Sequence, residues 1–304
     1  MNEALFLKRL EKPAGPVDVV LDTDTYNEID DQFALAYLVR SDEKLKLKAI
    51  YAAPFYNTKS SGPADGMEKS YQEIMNILTL MEREDLKEHV YRGSTCYLPD
   101  EKTPVESDAA NHLVQLAMNY TPENPLYVIA IGAITNVASA IIKEPQIVDR
   151  IVLVWLGGTA HHWPDNLEFN LMQDVAAARV VMGCGAAFVQ LPCAGVVSAF
   201  TTSQGELEMH LKGKNKLCDY LVGIVTRDGS AESPYKTWTR VIWDVTAVGW
   251  LLDEKFMSDY LTPTPIPQYD HHYSFDSRRH LMRYVYSINR DALFEDLFAK
   301  LAKQ

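Results

Sequence analysis

At 304 residues, with 47% hydrophobic and 23% charged side chains, the chain is long enough for a substantial core, and its composition excludes disorder. A formal net charge of -12, with no run of Lys and Arg, excludes a nucleic-acid surface, because phosphate contacts need clustered cations. No apolar run approaches the roughly twenty residues of a membrane span, and the N-terminus lacks the layout of a signal peptide, so the expectation is a cytoplasmic protein with no membrane partner.

The predicted elements begin with VDVVLDT, 17–23, a short apolar run ending in acidic residues, followed by DQFALAYLVR, 31–40, where apolar positions take helical spacing. The alternation recurs at 46–53 and 65–82, at 126–131 and 134–143, and again at the strand-like 150–156. Fully apolar strands alternating with helices predict an α/β fold, a mostly parallel central sheet covered by helices on both faces. In such sheets ligands bind beyond the carboxyl ends of the strands, which is where Asp22 and Asp24 fall. Farther on, 159–170 reads as a long loop, 203–228 as mainly helical, 229–238 as a polar loop with Pro234, 244–252 as a helix, 262–276 as Pro-rich turns and 291–303 as an amphipathic helix. No linker or repeat divides the chain, so residues 1–304 are expected to form one domain. Cys96, Cys184, Cys193 and Cys218 lack the paired spacings of a zinc or redox site and read as reduced thiols.

The strongest signal is DTDTYNEIDDQFAL, 22–35, which places Asp22, Asp24, Glu28, Asp30 and Asp31 at one strand-to-helix junction. Carboxylates at this density repel unless they face water or share a cation. The tight apolar flanks VVL and FALAYL argue against a mobile surface turn, and hard oxygen donors without imidazole or thiolate suit calcium or magnesium. An EF-hand loop is excluded, since Tyr26, Asn27 and Phe33 occupy its fifth, sixth and twelfth positions. A haloacid-dehalogenase-type phosphatase also starts with a strand and D-x-D; it has Thr where this chain has Tyr26 and gives no reason for Asp30 and Asp31, and it stands as the alternative reading.

The cluster resembles the signature of the inosine-uridine preferring nucleoside hydrolases, an apolar strand, D-x-D, a turn, and D-D opening a helix. Asp22, Asp24, Asp30 and Asp31 match it, with five residues between the pairs and Tyr26 where Gly is common. Three later segments follow the family's order. AIGAITNVA, 130–138, is similar to the strand end whose main-chain carbonyl, here that of Ile131, binds calcium. LGGTAHHWPDNLEFN, 156–170, is similar to the loop whose Glu and Asn hold ribose hydroxyls, here Glu168 and Asn170; His161, His162, Trp163 and Asn166 are neighbouring candidates for a further ribose contact. VIWDVTAVGWL, 241–251, is similar to the late helix whose opening Asp, here Asp244, completes the metal site.

The resemblance implies a Rossmann-like nucleoside hydrolase that cleaves the N-glycosidic bond of ribonucleosides, using a Ca2+-activated water. Its ligands would be Asp24, Asp31, Ile131 and Asp244, with Asp24 as the catalytic base. Asp30, Glu168, Asn170 and Trp243 would bind substrate, and Asp22 would orient its neighbours from behind. Trp243 stands where many members carry a His for the leaving base; an indole there resembles the purine-preferring branch and donates no acidic proton, leaving Trp238, Tyr235 or His272 to assist. The implied partners are a nucleoside and further copies of the chain, as a homodimer or homotetramer. A non-catalytic calcium-dependent nucleoside or sugar sensor would keep the same binding groups.

Overall fold

The computed structural model describes residues 2–303. In chain order the strands are β1 (Val17–Thr23), β2 (Leu45–Ala52), β3 (Val90–Arg92), β4 (Leu126–Ala130), β5 (Ile151–Leu156), β6 (Ala187–Leu191), β7 (Thr201–Ser203), β8 (Thr239–Val241), β9 (Met257–Pro263), β10 (Ile266–Pro267), β11 (Tyr273–Ser274) and β12 (Leu281–Ile288). The helices are α1 (Glu3–Arg9), α2 (Asp31–Val39), α3 (Pro63–Leu80), α4 (Asp108–Ala117), α5 (Thr135–Lys143), α6 (Phe169–Gln173), α7 (Val175–Gly183), α8 (Gln204–His210), α9 (Lys216–Glu232), α10 (Val245–Leu252) and α11 (Arg290–Leu301).

Eight strands form one sheet in the order β3-β2-β1-β4-β5-β6-β12-β9. Its pairs are parallel except β12 with β9. Side chains of β1 alternate between two apolar clusters: Val19 and Leu21 join α2, α3, α8, α9, α10 and α11 on one face, while Val20 joins α4, α5 and α7 on the other. Covering both faces is why the central strands β4 and β5 are apolar and buried at every position, as expected from their sequence, while Lys46 and Lys48 mark the more open start of β2. Every residue of α2 is buried, so this helix lies inside the larger layer and carries its acidic first turn with it.

The chain leaves β1 for β2 and β3 on one side and returns to β4 on the other, which makes the β1/β4 boundary a topological switch point. Asp22 pairs in register with Ala130, and the Ile131 N–H donates to the Asp22 carbonyl at 2.9 Å. The DTD segment and the AIG segment therefore open onto the same crevice.

Several boundaries differ from the sequence expectation. Helix α9 runs to Glu232, so residues 229–232 are helical where a loop was expected. The 262–276 stretch holds the end of β9 and the antiparallel β10/β11 ribbon in place of turns alone. The 159–170 loop ends earlier, at the start of α6, and 203–228 divides into α8 and α9. Strands β3, β6, β7, β8, β9 and β12 lie outside the strands expected from the sequence.

Candidate active site

Four aspartates meet at the switch point. Asp24 follows β1; Asp30 is the N-cap of α2 and Asp31 its first residue; Asp244 is the N-cap of α10, more than 200 positions later. An N-cap Asp ordinarily bonds its own helix's N–H groups, but neither Asp30 nor Asp244 does so. Oxygens of Asp30, Asp31 and Asp244 lie within 4.8 Å of one another, and the Asp31 carboxylate is flanked by those of Asp24 and Asp244. The positive ends of two helices offset part of this repulsion.

All four groups are buried, and burial followed by mutual repulsion pushes the Asp24 and Asp244 pKa well above the usual carboxylate range. Burial also lifts Asp30 well above that range and Asp31 to about 6, opposed by the Thr23 hydroxyl, which donates to Asp31 Oδ1 at 2.6 Å. Neither Asp24 oxygen has a hydrogen-bond partner among the described residues. Buried carboxylates without donors are costly unless a cation supplies the missing charge. The donor set, all hard oxygen, fits Ca2+ or Mg2+. Gly132 permits the approach of the adjoining strand end, since a Cβ there would stand 3.0 Å from Asp24 Cγ.

Asp22 lies behind the cluster. Its Oδ1 accepts from Asn136 Nδ2 at 2.8 Å, Oδ2 has no partner, and burial raises its pKa to about 7.

A cavity of about 240 Å³ opens over the carboxylates. Asp24, Asp30, Ile131, Glu168, Asn170, Trp243 and Asp244 all line it, so the structure brings together side chains that the sequence spreads over 24–244. Asp31 contributes from within the carboxylate cluster. Glu168 caps α6: Oε1 accepts from Asn170 N at 2.9 Å, and Oε2 accepts from Gly158 N and Leu171 N at 2.7 and 2.9 Å. Burial raises the Glu168 pKa against these three donors. Asn170 Nδ2 donates to the carbonyls of Ile131 and Leu156 at 3.2 and 3.1 Å. A carbonyl oxygen has two lone pairs, so Ile131 retains one after accepting Asn170. Half-buried Trp243 packs on the larger apolar cluster.

A model of the inosine-uridine preferring nucleoside hydrolase family matches residues 19–294. The chain belongs to this nucleoside hydrolase family. An inosine-uridine preferring nucleoside hydrolase of Leishmania major is 33% identical over 93 residues, 29% of this chain and 29% of that protein. A pyrimidine-specific ribonucleoside hydrolase of Salmonella typhi is 26% identical over 189 residues, 55% of this chain and 57% of that protein. The matched segments thus span less than two thirds of these relatives. In three dimensions a purine-preferring ribonucleoside hydrolase from Gardnerella vaginalis superposes with a TM-score of 0.77 and 18% identity, covering 94% of this chain and 98% of that chain, a likeness of fold. Family membership displaces the phosphatase alternative.

For this nucleoside hydrolase family member, some sequence candidates lie away from the cavity. His161 is enclosed by Tyr273, Phe275 and Tyr284, with Nε2 3.1 Å from Gln190 Oε1. Asn166 accepts from Thr159 N at 2.9 Å and holds its own loop. His162, Tyr235 and His272 are exposed and, like Trp238, do not line the cavity. Trp163 does line it, joined by Asn27, Leu167, Cys193 and Ala194, which the sequence reading passed over. The Cys193 thiol lies against Glu168, and burial with that carboxylate pushes its pKa well up. The signal for Cys193 and Ala194 was available: AAFVQLP is an apolar run ending at Pro192, and residues just past a parallel strand face the ligand crevice.

Proposed function

We propose that this chain hydrolyses the N-glycosidic bond of ribonucleosides, giving ribose and free base, with Ca2+ as cofactor and with purine nucleosides preferred. The observation that carries the reading is the convergence of Asp24, Asp30, Asp31 and Asp244, with both Asp24 oxygens unpartnered, at the floor of a cavity walled by Trp243. Held by Asp24, Asp31, Asp244 and the Ile131 carbonyl, Ca2+ would acidify water and accept sugar hydroxyls among its six to eight oxygen ligands.

Asp24 takes the proton as water attacks C1' of a sugar with oxocarbenium character. The surrounding carboxylates stabilise the positive charge that develops on the ring. Asp30, Glu168 and Asn170 fix the ribose hydroxyls; the three backbone donors on Glu168 set its orientation before substrate arrives. Asp22, held by Asn136, orients the strand end that presents Asp24. The test is Asp24→Ala, assayed for reducing sugar from inosine with Ca2+ present. Turnover should drop at least about a hundredfold while circular dichroism remains that of wild type. Near-normal ribose release by the variant removes Asp24 as base, and the absence of any release by the wild-type protein favours a binding protein over an enzyme.

A further inference from the structure

The loops after β5 and β6 run side by side beyond the sheet. Gly157 N donates to Leu191 O at 3.2 Å, Cys193 N to Gly158 O at 2.8 Å and Ala160 N to Ala194 O at 2.9 Å. This ladder carries Gly195 beneath the turn in which Trp163 N donates to Ala160 O at 2.8 Å. Gly195 has φ +89°, and a Cβ there would stand 2.7 Å from Ala160 Cβ and 3.2 Å from Trp163 Cε3. Only glycine therefore permits both the backbone turn and the close seat of the indole.

Trp163 belongs to neither apolar cluster and is 45% exposed, yet it lines the cavity above the carboxylates. Leu167, 56% exposed, lines the same cavity. The lining thus combines the carboxylates of the aspartate cluster with the large apolar Trp163 and Leu167, which flank Asp165 on the loop after β5. The carboxylates suit hydroxyls and a cation, and the indole suits a flat apolar group.

We infer that Trp163, seated on Gly195, is a wall against which the base of the nucleoside packs, making Trp163 a specificity-determining residue and Gly195 its positioning residue. The inference rests on the nucleoside reading above and names the part of the substrate that Trp163 meets. An indole gives a purine bicycle a large rigid contact, and aromatic stacking on a base is worth about tenfold or more in binding.

The experiment measures hypoxanthine binding by equilibrium dialysis and inosine kinetics, both with Ca2+, for wild type, Trp163→Ala, Trp163→Phe and Gly195→Ala. Trp163→Ala should weaken hypoxanthine binding and raise KM for inosine about tenfold, Trp163→Phe should restore most of both, and Gly195→Ala should shift both in the same direction as Trp163→Ala. Free ribose provides the contrast: its binding should be unchanged by Trp163→Ala. Unaltered hypoxanthine affinity in Trp163→Ala, no hypoxanthine binding by wild type, or equal weakening of ribose and base overturns the inference. A protein that binds hypoxanthine through Trp163 but releases no ribose from inosine retains this assignment and loses the hydrolase reading.

Discussion

At the scale of single residues, the contrast between Asp24 and Trp243 bears most on chemistry. Asp24 is a buried carboxylate whose oxygens have no hydrogen-bond partner among the described residues, and the neighbouring carboxylates repel its ionised form. Trp243 borders the same cavity but has no proton acidic enough to assist a leaving base. Under the proposed reaction, departure of the base would then draw on contact with the ring system, which would favour a bicyclic purine over a single pyrimidine ring. Membership of the family does not decide this, because one relative is pyrimidine-specific and one structural neighbour purine-preferring. The expected outcome is a kcat/KM for inosine at least about tenfold above that for uridine, with Trp243→Ala bringing the two together by lowering the inosine value. Equal rates on the two nucleosides in wild type would defeat the purine assignment.

Among the elements, the start of α5 ties the site together. Asn136, fully buried, donates from Nδ2 to Asp22 Oδ1 at 2.8 Å and to the Ala52 carbonyl at 3.3 Å, and its Oδ1 accepts from Ser94 N and Ser94 Oγ at 2.7 and 2.8 Å. It thus joins the ends of β1 and β2 to the segment following β3. Asn136→Ala would strand a buried carboxylate, a carbonyl and an N–H, costing about 3 kcal/mol and lowering Tm by roughly 5 °C. A thermal melt within 1 or 2 °C of wild type would show that these groups find other partners. Elements like β1, α2, β4 and α5 are legible because the covered stretches of the central strands are apolar and the acidic residues sit at one strand end. The convergence of Asp244 with Asp24 was legible only through resemblance, since no local pattern links residues 24 and 244. The polar end of α9 is set by tertiary contacts that no local pattern shows: the Trp238 ring fills the space above Gly229, where a Cβ would stand 2.5 Å from it, and Asp228 pairs with Arg240 at 2.7 Å. Strand β12, LMRYVYSI, was missed because its polar positions are accommodated by ion pairing of Arg283 to Asp259 at 3.1 Å, not by exclusion from the sheet. Trp163 is not distinguishable from its loop neighbours by sequence, because its seat on Gly195 depends on residues 32 positions apart meeting in space.

For the whole molecule, the carboxylate cluster couples stability to pH and to cation. With raised pKa values, these groups favour the folded state when protonated; the unfolded chain loses its protons first as pH rises from about 4. Their contribution is therefore full below the unfolded value and is lost as pH climbs through the folded values, about 6 for Asp31 and about 7 for Asp22. A net charge of -12 adds general repulsion over the same range, so the pH profile alone would not isolate the cluster. A cation does isolate it, because binding requires the ionised carboxylates and occurs only in the folded state. In EDTA, Tm should fall between pH 5 and pH 7. Ca2+ at a hundredfold excess over its Kd, at matched ionic strength, should restore about 2.7 kcal/mol at pH 7 and distinctly less at pH 5, where protons compete for the same oxygens. Differential scanning calorimetry in the four conditions decides the matter: a Ca2+ effect equal at both pH values, or absent from both, would mean that the four aspartates meet for a reason other than holding a cation.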